Sequence, residues 1–100
     1  TENTLILYLK GEVNSNTVGN LERYLGSNLD SIEKLVFELE NLLFISSAGL
    51  RVLLSAAKIM DKKQGNMIVR NPQPAVKQVF DITGFSGILT IESDDKTKEI

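Results

Sequence analysis

Leu43-Phe44-Ile45-Ser46-Ser47-Ala48-Gly49-Leu50-Arg51-Val52-Leu53-Leu54 is the stretch on which the reading of this chain turns. An apolar run ends in two serines, and directly after them apolar residues recur at helical spacing. Leu50, Leu53, Leu54, Ala57 and Met60 fall on one helix face, while Arg51, Ser55, Lys58 and Lys62 fall on the opposite, solvated one. One of Ser46 and Ser47 therefore sits where an N-cap is wanted, its hydroxyl accepting from a backbone N–H that the helix leaves unpaired. Ala48 and Gly49 keep the first turn small, leaving room for another backbone or molecule to approach. A helix start carries partial positive charge and free donors, so it suits an anion such as a phosphate. The two hydroxyls read as a cap, as a phosphate acceptor, or as one of each.

Composition narrows the class. The chain has 100 residues, enough for one domain with a real core and too few for two. Apolar residues make up 42% and charged residues 24%, the balance of a globular chain. A net charge of −2 without any Lys/Arg block argues against a nucleic-acid partner. Cysteine and histidine are absent, which removes disulfides, thiolate chemistry, the commonest general base and the commonest metal ligand. No run approaches the roughly 20 apolar residues of a membrane span and no signal segment leads the sequence, so the expectation is a cytoplasmic protein with no membrane partner.

Outward from the serines the sequence alternates strand and helix. Residues 4–10 (TLILYLK) are apolar at nearly every position, which predicts a strand covered on both faces or paired at the sheet centre. Residues 12–16 read as a polar connection in which Ser15, Asn16 or Thr17 can cap the next helix, marked by Val18, Leu21, Leu25 and Leu29. Residues 34–40 (KLVFELE) are the second strand, with Leu35, Phe37 and Leu39 on one face and Glu38 and Glu40 on the other, wetter one. After the serine-led helix, residues 66–70 (NMIVR) form a third strand. Pro74 opens a helix carrying Val76, Val79, Phe80 and Ile82, and Gly84 ends it. Residues 88–91 are the last strand, and residues 93–99 form a polar tail that is unassigned or weakly helical. Val52, Ala56 and Ile59 make a second apolar row on the central helix. It is expected to pack under the helix of Val76 and Phe80, the alternative being a partly exposed partner surface. The alternation predicts an α/β domain with a mostly parallel four-stranded sheet and helices mainly on one face.

Three stretches then carry a resemblance: Gly11-Glu12-Val13-Asn14, Phe44-Ile45-Ser46-Ser47-Ala48-Gly49-Leu50, and Pro74-Ala75-Val76-Lys77 with Phe80-Asp81-Ile82-Thr83-Gly84-Phe85. In order and spacing they resemble the STAS domain, and more narrowly the bacterial anti-sigma-factor antagonists, over residues 5–91. The resemblance implies a single domain over residues 1–100 that binds an anti-sigma factor acting as a serine kinase. That binding frees a sigma factor, phosphorylation ends it, and a phosphatase resets the switch. By position the family's phosphorylated residue falls on Ser47.

The expected partner surface comprises Asn14, Ser15, Thr17, Ser46, Ala48, Gly49 and Arg51, with no cofactor and no catalytic residue. Arg51 is placed there as a charge able to meet a carboxylate of the partner or the phosphate itself. Where the family carries acids just before the phosphorylated residue and in the first loop, this chain has Ser46 and Asn14. These changes favour an alternative, a STAS scaffold or transport-accessory module without a working phosphoswitch. The resemblance implies a further family strand before Leu5, and the expectation is that it is trimmed or abbreviated here.

Overall fold

Parallel pairing of strands that are distant in sequence sets the frame. The computed structural model describes residues 3–94. β1 (Thr4–Tyr8) lies beside β3 (Lys34–Glu38), β3 beside β5 (Asn66–Arg70), and β5 beside β6 (Ile91–Glu92), all parallel. Parallel neighbours need long crossovers, and α1 (Val18–Asn28), α2 (Ser47–Lys62) and α3 (Pro74–Thr83) supply them. The expected four-stranded parallel sheet is present, in the order β1-β3-β5-β6.

The register sorts the side chains. Leu5, Leu35 and Met67 stand in one row and Leu7, Phe37 and Val69 in the next, all facing the helices as part of the core or packed against it. Ile6, Val36 and Ile68 form a row on the other face, where Ile6 and Tyr8 are 47% and 69% exposed. The helices thus lie on one side. The expectation that residues 4–10 are covered on both faces or central is corrected. β1 pairs with β3 alone among the described strands, and the centre belongs to Leu35-Val36-Phe37.

Two further strands went unread in the sequence. Beyond Tyr8 and Glu38 the paired chains bend and pair again as β2 (Gly11–Val13) and β4 (Leu42–Ile45). Gly11 makes the bend with φ of 70°, a left-handed conformation that glycine adopts without a Cβ penalty, and its N–H donates to the Asn41 carbonyl at 3.0 Å. Residues 12–16 are therefore only partly a connection. A strand with one inward apolar residue, Val13, has too little periodicity to be seen.

Because β2 and β4 are neighbours, the helices that leave them are neighbours too. Val52 and Ala56 are buried facing Val18, Leu25 and Leu29, so the second apolar row packs beside α1 and not under α3, while Ile59 stays 45% exposed. α3 lies against β4 instead, burying Val76 and Phe80 and leaving Ile82 outside at 76% exposure. Gly84 closes α3 with φ of 83°. Near that end Lys77 donates to Asp81 at 2.8 Å and Ser86 donates to the same carboxylate, which together hold Asp81 below its ordinary pKa. The last strand is shorter and later than the expected residues 88–91. A 3-10 turn, Phe85–Gly87, intervenes, Ile88 is exposed, and Leu89 drops into the core. Of the polar tail, residues 95–100 lie outside the described residues.

The C-terminus of α2 holds the C-terminus of α1. Lys63 Nζ donates to the carbonyls of Leu29 at 2.6 Å, Asp30 at 3.1 Å and Ile32 at 2.7 Å. Those carbonyls end α1 and the 3-10 turn after it, where a cation is favoured by the helix dipole. Lys63→Met keeps the stem and removes the donors. Urea unfolding is expected to show a loss of about 1–3 kcal/mol, the range for charge-assisted hydrogen bonds to partly buried acceptors. A loss below about 0.5 kcal/mol, the level of an ordinary surface substitution, means that water replaces the ammonium at no cost.

Candidate functional site

The last rung of the β2–β4 ladder builds the site. The Ser46 N–H donates to the Val13 carbonyl at 2.8 Å, so the turn after β2 and the start of α2 are held side by side. Ser46 is extended (φ −89°, ψ 174°), its Oγ accepts from the Gly49 N–H at 3.3 Å, and its carbonyl takes the Leu50 N–H at 2.9 Å. Ser46 is therefore the cap. Ser47 is the first residue of the helix and is exposed. The ambiguity between the two hydroxyls is resolved by geometry: one is used by the fold and the other faces solvent.

The turn is organised by Asn14. Its Oδ1 accepts from the N–H groups of Asn16 at 2.9 Å and Thr17 at 3.2 Å, and its Nδ2 donates to Glu12 Oε1 at 3.3 Å. Thr17 Oγ1 takes the Asn14 N–H at 2.9 Å and donates to the Glu12 carbonyl at 3.1 Å. None of Ser15, Asn16 and Thr17 caps α1 with its side chain as expected. Thr17 holds the N-cap position but spends its hydroxyl inside the turn. Asn14 suits this place because an amide both accepts and donates; a carboxylate there would meet the Glu12 carboxylate.

The rest of the expected surface divides. Ser15 and Thr17 are exposed, Ala48 is half-buried, and Arg51 is exposed one turn after Ser47. Gly49 is buried. A Cβ there would stand 2.7 Å from Ile45 Cγ1 and 2.9 Å from Val13 Cγ1, so the room left by this glycine is filled by its own strands and not by another molecule. What spacing did not reveal is a groove of about 420 Å³ between α1 and α2, lined by Val18, Leu25, Ala48, Arg51, Val52 and Ile59 among others. The small residues Gly26 and Ala48 on its walls were the available signal. No helix among the described residues is long and apolar enough to cross a membrane.

The structure is thus a small α/β domain of parallel strands, in which a serine-capped helix start stands against a strand-to-helix turn. It belongs to the STAS domain family, whose model matches residues 1–97. The chain is 41% identical over 88 residues to a Bordetella bronchiseptica protein named as an anti-sigma factor antagonist, BtrV, covering 87% of this chain and 76% of that one. It is 30% identical over 93 residues to the anti-sigma F factor antagonist of Paenibacillus polymyxa, covering 91% and 80%. Among solved structures it superposes on the anti-sigma factor antagonist SpoIIAA in its unphosphorylated form with a TM-score of 0.83, 21% identity and coverage of 96% and 84%. The phosphorylated form of SpoIIAA, a Bacillus cell fate determinant, superposes with a TM-score of 0.75 at 21% identity and coverage of 96% and 87%.

Two substitutions test the local account. Ser46→Ala is expected to cost about 1 kcal/mol in chemical denaturation, the loss of one cap bond. Gly49→Ala gains up to about 1 kcal/mol of helix propensity, but the clash with stiff Val13 and Ile45 costs about 1–3 kcal/mol and wins. A Gly49→Ala protein more stable than the parent shows that the strands yield.

Proposed function

We propose that this chain is an anti-sigma factor antagonist whose partner is an anti-sigma factor with serine-kinase activity, and that phosphorylation of Ser47 switches the binding off. The observation that carries the reading is the division of labour between the serines, with Ser46 occupied as cap and Ser47 exposed; the resemblance implies that Ser47 is the residue phosphorylated. The names of the relatives at 41% and 30% identity supply the partner class, and SpoIIAA occurs in both phosphorylation states. The partner surface is the Asn14–Thr17 turn, Ser46, Ala48 and Arg51, with Gly49 supplying only backbone. A phosphatase that restores Ser47 completes the cycle. Such a circuit works in the cytoplasm on protein partners, not on nucleic acid or membrane. The role is not enzymatic, since neither serine has a histidine or cysteine to activate it.

The physics of release follows from where Ser47 sits. A phosphate adds about −1.5 to −2 charges at a helix start, where a negative charge is stabilising by typically 0.3–1 kcal/mol. α2 is anchored by Leu50, Leu53, Ala56 and Met60, all buried, at about 1.5–3 kcal/mol for each large side chain. The anchoring outweighs the perturbation and the perturbation has the favourable sign, so the helix has no reason to move. Release comes from bulk and charge presented to the partner. Ser46 and Asn14 put neutral groups where the family carries acids, so fewer fixed charges oppose the phosphate, and Arg51 one turn on can pair with it. The same neutral residues favour the second reading, a STAS scaffold or transport-accessory module without the switch.

Incubation with the anti-sigma kinases of the source organism and ATP, followed by intact mass and phosphopeptide mapping, separates the two. One phosphate on Ser47, absent in Ser47→Ala, is expected; modification of Ser46 or Thr17 reassigns the acceptor, and none with any kinase supports the scaffold. Ser47→Asp, smaller and singly charged, is expected to weaken partner binding only in part. Amide spectra of the two forms are expected to differ around residues 14–17 and 45–54. Shifts spread through β3 and α3 indicate a conformational switch instead.

A further inference from the structure

Strand β4 breaks the alternation of a regular strand. Successive side chains of a strand point to opposite faces, so the first and last of four residues belong on different sides. In β4 both ends, Leu42 and Ile45, are buried, while Leu43 and Phe44 between them are 63% and 48% exposed. The register gives the cause: Gly11 pairs with Leu42 and Glu12 with Phe44, leaving Leu43 as the extra residue of a β-bulge. Val13 and Ile45 are paired and point together beneath Gly49 of α2, whereas Glu12 and Phe44 are paired and point together outward. The bulge thus saves the inward packing of Ile45 and leaves two large apolar side chains in solvent. Neither is among the buried residues of the hydrophobic core.

We propose that Leu43 and Phe44 are the apolar anchor with which this chain grips its anti-sigma factor, entering an apolar pocket with a positively charged rim. The proposal rests on the antagonist reading above and extends the partner surface to the outer face of the β2–β4 ladder. Distance supports it: at about 3.3 Å per residue, Phe44 lies about 10 Å along the chain from Ser47. A partner covering Ser47 with a standard footprint of about 800 Å², a patch roughly 30 Å across, reaches Phe44 as well. Continuity supports it too. Glu12, the ladder partner of Phe44, receives the Asn14 side chain at 3.3 Å, so one residue joins the apolar pair to the turn of the proposed surface. The exposed Glu12 carboxylate beside Phe44 sets the sign of the rim that fits it. Exposed apolar residues scattered singly are ordinary; a pair turned outward by a bulge, on the strand that runs into the serines, is not.

The test titrates each anti-sigma kinase of the source organism, purified, against the unphosphorylated chain by calorimetry. Phe44→Ala is expected to weaken binding at least about tenfold and Leu43→Ala about fivefold, as for central apolar anchors. Phe44→Leu stays within about threefold, and Ile82→Ala on the outer side of α3 serves as a control within about twofold. Melting temperatures that match the parent place the losses in the interface. Leu43→Ala, at the unpaired bulge position, keeps the test decisive should Phe44→Ala loosen the ladder. Both alanine variants binding within about twofold of a parent that binds overturn the anchor and leave the antagonist reading standing. A parent that binds none of the kinases takes the antagonist reading down, and the anchor with it. A free chain that sediments as a dimer and becomes a monomer on Phe44→Ala assigns the patch to a second copy and overturns the proposal.

Discussion

The pairing of β2 with β4 is the constraint on which everything near the serines depends. It is short, bulged and reached only after both chains bend at the ends of β1 and β3, with Gly11 supplying the left-handed residue. Its last rung, Ser46 N–H to Val13 carbonyl, brings together two segments more than thirty positions apart. Gly49 then lies directly on Val13 and Ile45, so the first turn of α2 is clamped to the same two strands. A helix start held this way cannot tilt without opening the core, and whatever meets Ser47 meets a rigid platform.

That rigidity explains how two adjacent, chemically identical serines acquire different jobs. Ser46 lies in the extended backbone that precedes the helix, and its hydroxyl is turned back onto Gly49. Ser47 is inside the helix, where the side chain leans outward and no backbone donor claims it for capping. A modification on the outer serine therefore changes the surface at little cost to the fold, because the stabilising work is done by its neighbour. The Asn14 turn obeys the same economy: its side chain satisfies the backbone and holds Glu12, while Ser15 stays exposed.

Placing every helix on one side has a consequence for the sheet. Leu35, Phe37 and Val69 are wholly buried against the helices, while Ile6, Val36 and Ile68 form an apolar row on the opposite face. Val36 is nevertheless only 5% exposed, because Ile6 and Ile68 on the flanking strands shield it. At the end of that face Arg70 pairs with Asp94 and approaches Glu38 at 4.0 Å, and Asn71 donates to Glu38 at 3.0 Å. These polar bonds tie the residues after β6 to the central strand without any helix above them.

The sequence by itself determined the α/β class, the parallel sheet, the one-sided helices, the inward face of α2 and the helix start at the serines. These follow from local information: helical spacing of Leu50, Leu53 and Met60, alternation through Leu35 and Phe37, and the preference of serine for a cap. It did not determine that the ammonium of Lys63 serves α1, since that needs the two helices side by side. Tertiary structure alone decided that β1 pairs with β3 alone among the described strands, that Val52 and Ala56 face α1, and that Gly49 is filled by its own strands. It alone decided which serine caps and that Leu43 and Phe44 stand outside. Each of these depends on which strand lies next to which, and a ladder three or four residues long leaves no periodicity from which that neighbour can be read.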